Sequence, residues 1–321
     1  MQHAGGVKII RRLRFALLAL LAIAAGSGMF AARIVVGQTP ATHPAESPSS
    51  LAMGNSVAAS LPGPSEVPAV LSRRPAEAQP NENPLMPVLR WAERGLPAIE
   101  RLKDYSATLV RRERIRGKLG GYEYASIKIR HEPFSVYACF QAPAAVRGQE
   151  VVYTVGQNQG NLLAHKMRVP VTVSLDPDGL IAMSGRHYPL TEIGLVNLVR
   201  RLVEVGQQDV HYGECEVKYF TGAKVNDRVC TVIQVVHPTP RDQFRFHLAR
   251  VFVDDELMVP IRYESHDWPR EPGGQPELIE EYTYLDLKLN NGFTDEDFSA
   301  RNPAYHFHQA AAEADRAGEP R

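Results

Sequence analysis

The three cysteines carry the most distinctive chemistry in the chain, and their number and spacing limit what they can do. Three are too few for a four-cysteine zinc site or a disulfide scaffold. Cys215 and Cys230 lie on two consecutive predicted strands. A turn centred on 222–223 would bring them face to face, whereas a turn at 225–227 would misalign them. Cys139 alternates with aromatic residues in a predicted strand and has no evident base partner, so we expect a buried, small apolar residue.

The histidines and acidic groups do not form a recognisable catalytic or metal site. His306 and His308 would share one face of an extended chain, but two imidazoles without a nearby third ligand make a poor metal site. The acidic run 254–256 could offer oxygens to a hard cation, and a solvated hairpin tip is the simpler interpretation. The segment 131–133 pairs a histidine with a glutamate, but its proline favours a turn over acid–base chemistry.

The short motifs of common enzymes and nucleotide-binding proteins do not occur in the sequence. We therefore expect no enzymatic activity, no cofactor and no metal. Lys+Arg and Asp+Glu both number 36, so the formal net charge is zero and nothing global attracts nucleic acid. Hydrophobic residues make up 44% of the 321 residues and charged residues 22%, which excludes a wholly disordered chain and disfavours a multi-span membrane protein.

The N-terminus has the pattern of an export signal or a membrane anchor. A positive cluster at 8–14 precedes an uncharged, mostly apolar run at 15–32. Small residues at 22–27 permit cleavage, yet the run approaches the roughly 20 residues that span a bilayer, so both outcomes stay open. We assign residues 1–36 to this signal peptide or anchor. The rest of the chain is then expected in the periplasm or at the outer face of the cytoplasmic membrane.

A linker separates this segment from one folded domain. Residues 37–83 are rich in Pro, Ala, Ser and Gly and contain no Phe, Tyr or Trp, so they cannot bury enough apolar surface to offset the entropy of ordering. We expect a disordered tether here, a folded domain at 84–309, and a frayed, Ala-rich tail at 310–321.

Apolar residues at helical spacing predict two helices. The first covers 85–102, and Pro97 within it predicts a kink or a break into two short helices. The second covers 191–205, with Thr191 at the N-cap position. A third, short helical turn is expected at Thr294, where Asp297 is placed for a capping-box contact.

The rest of the domain shows the short, β-branched and aromatic runs of strands, separated by turn-forming residues. The predicted strands are 105–116, 122–131, 134–141, 150–155, 161–167, 211–220, 228–237, 243–254, 259–266 and 278–289. The order helix, strands, helix, strands favours an α+β fold with an antiparallel sheet of about ten strands on two or three helices.

A curved sheet that two helices cover only partly can leave an apolar concavity. Such a cavity would bind acyl chains by burial, at about 0.8 kcal/mol per CH₂, without any catalytic group. Plain core packing is the alternative for each candidate residue, because strand alternation does not tell which face is concave. The candidate ligand-binding residues are Ile127, Ile129, Val136, Phe140, Val151, Tyr153 and Leu163.

Three stretches, 109–165, 236–269 and 280–298, together resemble an exported bacterial family of unknown function, and the order of elements is similar to the LolA/LolB/RseB-type lipoprotein-binding fold. Arg130 with Pro133 is similar to a basic residue and proline on an early strand of that superfamily. The segment from Gly160 to Leu163 and the strand–turn–strand unit 252–262 are similar to two further features of it. This resemblance implies a curved antiparallel sheet that wraps around helices as an unclosed barrel.

The resemblance also implies a non-enzymatic cell-envelope protein that binds lipid or the acyl chains of lipoproteins. The expected partners are then an acyl ligand and, through the N-terminal segment, the membrane. The long tether is unlike a diffusing carrier, which leaves a tethered acceptor or a sensor open. The alternative function is an envelope interaction or regulatory module that docks a protein partner without a lipid ligand.

Overall fold

Twelve strands and two α-helices make up the computed structural model, which describes residues 74–166 and 169–307. The described residues belong to one compact unit. The predicted signal or anchor at 1–36, the linker up to residue 73 and the tail at 310–321 lie outside them. Within the described residues, no helix is both long enough and apolar enough to cross a membrane.

The strands follow one another along the chain mostly as antiparallel hairpins. They are β1 (Asp104–Ile115), β2 (Lys118–Leu119), β3 (Glu123–Arg130), β4 (Ser135–Ala142), β5 (Gln149–Thr154), β6 (Leu162–Lys166), β7 (Val169–Leu175), β8 (Glu216–Val225), β9 (Arg228–Val236), β10 (Leu248–Asp254), β11 (Pro260–Asp267) and β12 (Glu277–Leu289). Their order in the sheet is β7-β6-β5-β4-β3-β1-β12-β11-β10-β9-β8, with β2 paired to β1. The edge strands β7 and β8 are not paired with each other, so the antiparallel sheet is unclosed, and the predicted α+β fold is confirmed.

Two strands lie outside the ten that the sequence predicted. The short strand β2 extends the hairpin after β1, where Arg114 pairs with Leu119. The strand β7 contains Pro170, a residue that weakens a strand prediction because proline cannot donate to the ladder. β7 is an edge strand, and an edge tolerates that missing donor.

The first helix, α1 (Met86–Glu100), is continuous, so the predicted break into two short helices is wrong. Pro97 lies in its last turn, and the carbonyl that loses its partner belongs to the exposed Glu93, where water can take the place of the missing N–H. The helix pairs with α2 (Leu195–Val210), and the two approach closely because Gly206 faces Leu89.

The second helix begins four residues later than predicted, and Thr191 is not its N-cap. A short 3₁₀ turn at Leu190–Glu192 precedes it, and Gly194 is the N-cap with a φ of 112°. A side chain at this position would be strained, and an added Cβ would lie 2.8 Å from the hydroxyl of Tyr105. The capping contact at Thr294 is confirmed, because its N–H donates to the Asp297 carboxylate at 3.0 Å.

The core lies between the inner face of the sheet and the two helices. Tyr105, Ile129 and Val136 of the sheet and Leu195 of α2 are fully buried in this core. A smaller apolar cluster lies on the opposite face of β4, β5 and β6, where Phe298 and Phe307 of the C-terminal segment cover the strands. Both faces of this half of the sheet are therefore packed.

Candidate functional site

A cavity of about 420 Å³ lies between the inner face of the sheet, α2 and the segment 186–194 that precedes α2. We call it the sheet cavity. Its volume lies within the roughly 300–1,000 Å³ that is usual for small-molecule sites. The strands that line it are β1, β3, β4, β11 and β12, so it opens within the central part of the sheet.

One part of the sheet cavity is apolar. Alternate residues of neighbouring strands point to the same face, and α2 adds an apolar stripe opposite them. The register pairs Leu109 of β1 with Ala125 of β3, and Ile127 of β3 with Ala138 of β4. The apolar lining includes Leu109, Ala125, Ile127, Phe140, Leu198 and Leu202.

The other part of the sheet cavity is charged, and strand register places its groups side by side. Arg111 of β1 lies opposite Glu123 of β3 on one side and Tyr282 of β12 on the other, and Glu113 lies opposite Glu280. Arg111 is only 9% exposed and Glu113 only 6%, so these charges are held inside the fold. Buried charges are costly unless they are paired, and these are.

Arg111 and the segment before α2 satisfy the three carboxylates of this charged part. The Arg111 guanidinium contacts Glu123 at 2.6 Å and Glu113 at 3.3 Å. His187 Nδ1 lies 2.6 Å from Glu280, and the His187 backbone N–H donates to Glu113 at 3.2 Å. The hydrogen bond with Glu280 raises the pKa of His187, which favours the imidazolium form.

Two tyrosine hydroxyls complete this network. The Tyr282 hydroxyl donates to Glu113, and the Tyr188 hydroxyl donates to Glu280 at 3.1 Å. Burial, and next the negative charge of Glu280, raise the pKa of both tyrosines, so both remain neutral donors. The arrangement places hydrogen-bonded polar groups in the same cavity as the apolar lining.

The structure brings two of the seven predicted ligand-binding residues to this cavity. Ile127 and Phe140 line it. The other inner-face candidates are buried in the same core cluster but do not line the cavity: Ile129, Val136, Val151 and Tyr153. Leu163 lies in the cluster on the opposite face, with Val152 and Phe298. A role in ligand binding stays a prediction for all seven.

The charged lining was not among the predicted site residues. Arg111 and Glu113 could have been found, because they follow Leu109 at intervals of two in a strand and must therefore share its face. His187 and Tyr188 gave no such signal. They lie on an irregular segment whose position over the sheet depends on tertiary packing.

Two other depressions differ from the sheet cavity. One of about 110 Å³, with an almost wholly apolar lining that includes Trp91 and Ile233, separates the helices from β9 and β10. The other, of about 570 Å³, is a shallow groove along the ends of α1 and α2, lined largely by exposed polar residues such as Glu93 and Gln207. The apolar depression lacks a set of polar groups, and the polar groove is too shallow to enclose a ligand.

The cysteines of the chain are free. The hairpin between β8 and β9 turns at Asn226 and Asp227, so Ala223 lies opposite Cys230. Cys215 precedes β8 and lies at the far end of the hairpin. The turn at 225–227 therefore misaligns the two cysteines. Cys139 is half-buried on its strand, near Glu150.

The acidic run 254–256 is not a solvated hairpin tip throughout, because Asp254 is only 1% exposed. Its carboxylate binds the Arg228 guanidinium and accepts the backbone N–H groups of Glu256 and Leu257 at 2.9 Å. His306 hydrogen-bonds to the buried Glu150, and His308 lies outside the described residues. Among residues 74–166 and 169–307, no three His, Cys, Asp or Glu side chains are grouped to hold a metal ion.

Solved structures with a similar course of the chain are remote in sequence. The Mycobacterium tuberculosis lipoprotein LppX is 13% identical, with 65% of this chain and 98% of that chain covered and a TM-score of 0.38. MucB is 15% identical, with 66% of this chain and 62% of that chain covered and a TM-score of 0.37. A putative outer membrane lipoprotein-sorting protein domain from Vibrio parahaemolyticus is 12% identical, with 66% of this chain and 95% of that chain covered and a TM-score of 0.30.

No curated protein matches the chain in sequence. A family model does match it: residues 102–307 fit the family described as "Protein of unknown function (DUF1571)". The match covers the whole sheet and α2, from the residues before β1 to Phe307, and so includes the strands and the segment that line the sheet cavity. The chain therefore belongs to the DUF1571 family of proteins of unknown function.

Proposed function

We propose that the protein is a non-enzymatic cell-envelope protein that binds lipid or lipoprotein acyl chains in the sheet cavity. The observation that carries the proposal is the cavity itself: about 420 Å³ of space between the inner face of the sheet and α2, with apolar side chains on both sides. An acyl chain is the natural occupant of such a space, because each buried CH₂ contributes about 0.8 kcal/mol.

The construction of the wall supports this assignment. Small side chains at Ala125 and Ala138 leave room in front of the sheet, where larger residues would fill it. Leu198 and Leu202 of α2 close the space from the other side and are only half-buried, as expected for side chains that border a cavity. Ile127 and Phe140, which are paired with these alanines, add apolar surface on the sheet side.

The N-terminal pattern supports a location in the envelope. The basic cluster and apolar run at 8–32 are typical of a segment that the secretory machinery inserts, and the linker at 37–83 would hold the domain at a distance from the membrane. A tethered acceptor or sensor fits such a chain better than a diffusing carrier.

Binding of a neutral apolar fluorophore to the full chain tests the proposal. N-phenyl-1-naphthylamine fluoresces in apolar surroundings, and we expect saturable binding at micromolar concentration. Ala125→Phe places a ring in the cavity and should weaken binding at least tenfold. Ala145→Phe, the same change at an exposed loop residue, should leave it unchanged.

Leu198→Gln provides a second variant in case Ala125→Phe does not fold. It places a polar group at a half-buried position in the lining and should weaken binding while the melting temperature stays near that of the wild type. A stable wild-type chain that binds no probe, or that binds it equally well in both cavity variants, would contradict the proposal. The interaction module that docks a protein partner would then be the better hypothesis.

A further inference from the structure

Arg186 extends into the sheet cavity from the segment before α2. Its guanidinium lies over the ring of Phe140, with 5.2 Å between the guanidinium carbon and the ring centroid. Within the described residues, this guanidinium makes no hydrogen bond and no ion pair, although its backbone N–H is bonded to Met183. A guanidinium carries five N–H donors in a fixed fork, and none of those of Arg186 has an acceptor among the residues that the structure describes.

The neighbouring carboxylates make their hydrogen bonds with groups other than Arg186. Arg111 forms ion pairs with Glu123 and Glu113, and His187 forms one with Glu280. Burial, and next the nearby positive charge of Arg111, lower the pKa of Arg186 to about 10, so it is still charged at neutral pH. A half-buried cation thus faces the cavity with its hydrogen-bonding capacity unused.

The arrangement around Arg186 is suited to a ligand rather than to the fold alone. Contact with the Phe140 face orients the guanidinium and leaves its N–H edge free. The apolar wall formed by Ala125, Ile127 and Leu198 lies in the same cavity. The site therefore offers a planar cation at one place and an acyl-binding surface beside it.

We propose that Arg186 binds the anionic head of a single-chain amphiphile whose acyl chain lies along the apolar wall of the sheet cavity. This inference rests on the proposed function and specifies its ligand class. Carboxylate and phosphate groups both present two oxygens that can accept paired hydrogen bonds from a guanidinium. The ligand is therefore either a fatty acid or an alkyl phosphate. Arg186 selects for the head group, and the wall provides most of the affinity.

Three ligands of equal chain length distinguish the contribution of the head group to affinity from that of the alkyl chain: dodecanoate, dodecyl phosphate and 1-dodecanol. Their affinities for the full chain are measured by displacement of N-phenyl-1-naphthylamine, a neutral probe that does not need Arg186. We expect at least one anion to bind about tenfold or more tightly than the alcohol. The anion that binds more tightly identifies the head group.

Arg186→Gln should abolish the preference for the anion while the alcohol and the fluorophore bind as before. Arg186→Lys keeps the charge but not the fork, and it should retain part of the preference. Arg112→Gln is the matched control: Arg112 also lies over an aromatic ring, that of Tyr122, but it does not line the cavity, and its change should leave all three affinities unaltered.

Two results would overturn the inference. One is equal affinity of the wild type for the alcohol and both anions, and the other is a uniform loss of all three ligands in Arg186→Gln, which would indicate a role in shaping the cavity. If neither the alcohol nor the fluorophore binds the wild type, the proposed function itself fails. If both bind without a preference for the anion, only the role of Arg186 fails.

Discussion

The hydroxyl of Tyr105 accepts a hydrogen bond from the backbone N–H of Leu195 at 2.9 Å. Tyr105 lies on β1 and Leu195 is the first residue of α2, and both are fully buried. The bond satisfies one of the N–H groups that every helix start leaves without a partner in the helix. It therefore fixes where α2 begins, and with it the position of the helix wall of the sheet cavity.

Tyr105→Phe should lower the free energy of unfolding by about 1–3 kcal/mol, because it leaves a buried N–H without an acceptor. Gly194→Ala should also destabilise the protein, since its Cβ would lie 2.8 Å from the Tyr105 hydroxyl and its φ is 112°. Chemical denaturation measures both variants. Tyr124→Phe, the same change at an exposed position on β3, is the control and should have little effect.

The double variant Tyr105→Phe/Gly194→Ala sharpens this prediction. Removing the hydroxyl relieves the clash with the new Cβ, so the double variant should be less destabilised than the sum of the two single changes. Simple additivity would show that the contact between these two positions does not determine the start of α2.

The predicted boundary of the linker can be tested by truncation. Asn83 ties the start of α1 to the end of α2: its Oδ1 accepts the Leu85 N–H at 2.9 Å, and its Nδ2 donates to the Val210 carbonyl at 3.0 Å. A chain that begins at Arg74 should melt at the same temperature as the full chain. A chain that begins at Pro84 loses both bonds and should be less stable by roughly 1–2 kcal/mol.

Asn83→Ala in the chain that begins at Arg74 should reproduce most of that loss, whereas Glu77→Ala, an exposed position in the same segment, should not. Equal stability of the two truncated chains would mean that Asn83 contributes nothing and that the folded domain begins at Pro84.

The pair formed by Arg228 and Asp254 predicts a particular dependence of stability on pH. Burial raises the pKa of Asp254, but hydrogen bonds from Arg228 and from the backbone N–H groups of Leu257 and Glu256 outweigh it and leave the pKa lowered. A carboxyl whose pKa is lower in the folded state stabilises the fold above its unfolded pKa of about 3.9, and that contribution is lost as the pH falls through the folded value.

Arg228→Gln should therefore cost about 1–3 kcal/mol at pH 7, and the difference from the wild type should shrink as the pH falls below about 4. Urea denaturation at a series of pH values measures this. Lys218→Gln removes an exposed charge that pairs with the exposed Glu216 on β8, and it controls for a general effect of charge removal on the sheet. A difference that stays constant down to acid pH would contradict the assignment to Asp254.

The parts of this fold that follow local rules could be predicted from the sequence. Ten strands were indicated by their β-branched and aromatic residues, and a period of two tells which residues of β1 share a face. The start of α2 could not be predicted, because Gly194 is required by the hydroxyl of a tyrosine about ninety residues earlier in the chain. Thr191 satisfies the local preference for an N-cap, and tertiary packing overrides it.

The residues of the cavity also differ in whether the sequence could predict them. Ile127 and Phe140 could be proposed from alternation, which tells that residues share a face but not whether space lies in front of them. Arg186 and His187 could not, because a segment without periodicity carries no signal of the surface it will cover. Arg111 and Glu113 lie between these cases: their strand positions indicate an inward direction, and only the paired groups explain why charges are tolerated there.

The dependence of affinity on chain length tests most directly whether the sheet cavity binds acyl chains by burial. Saturated fatty acids from octanoate upward are titrated into the full chain below their critical micelle concentrations. The account predicts that each added CH₂ tightens binding roughly fourfold, from about 0.8 kcal/mol per CH₂, until the cavity is filled and the affinity levels off. In Ala125→Phe, the affinity should level off at a shorter acyl chain, because the new ring fills part of the cavity. Affinity that is independent of chain length, or the absence of binding at micromolar concentration, would contradict the account.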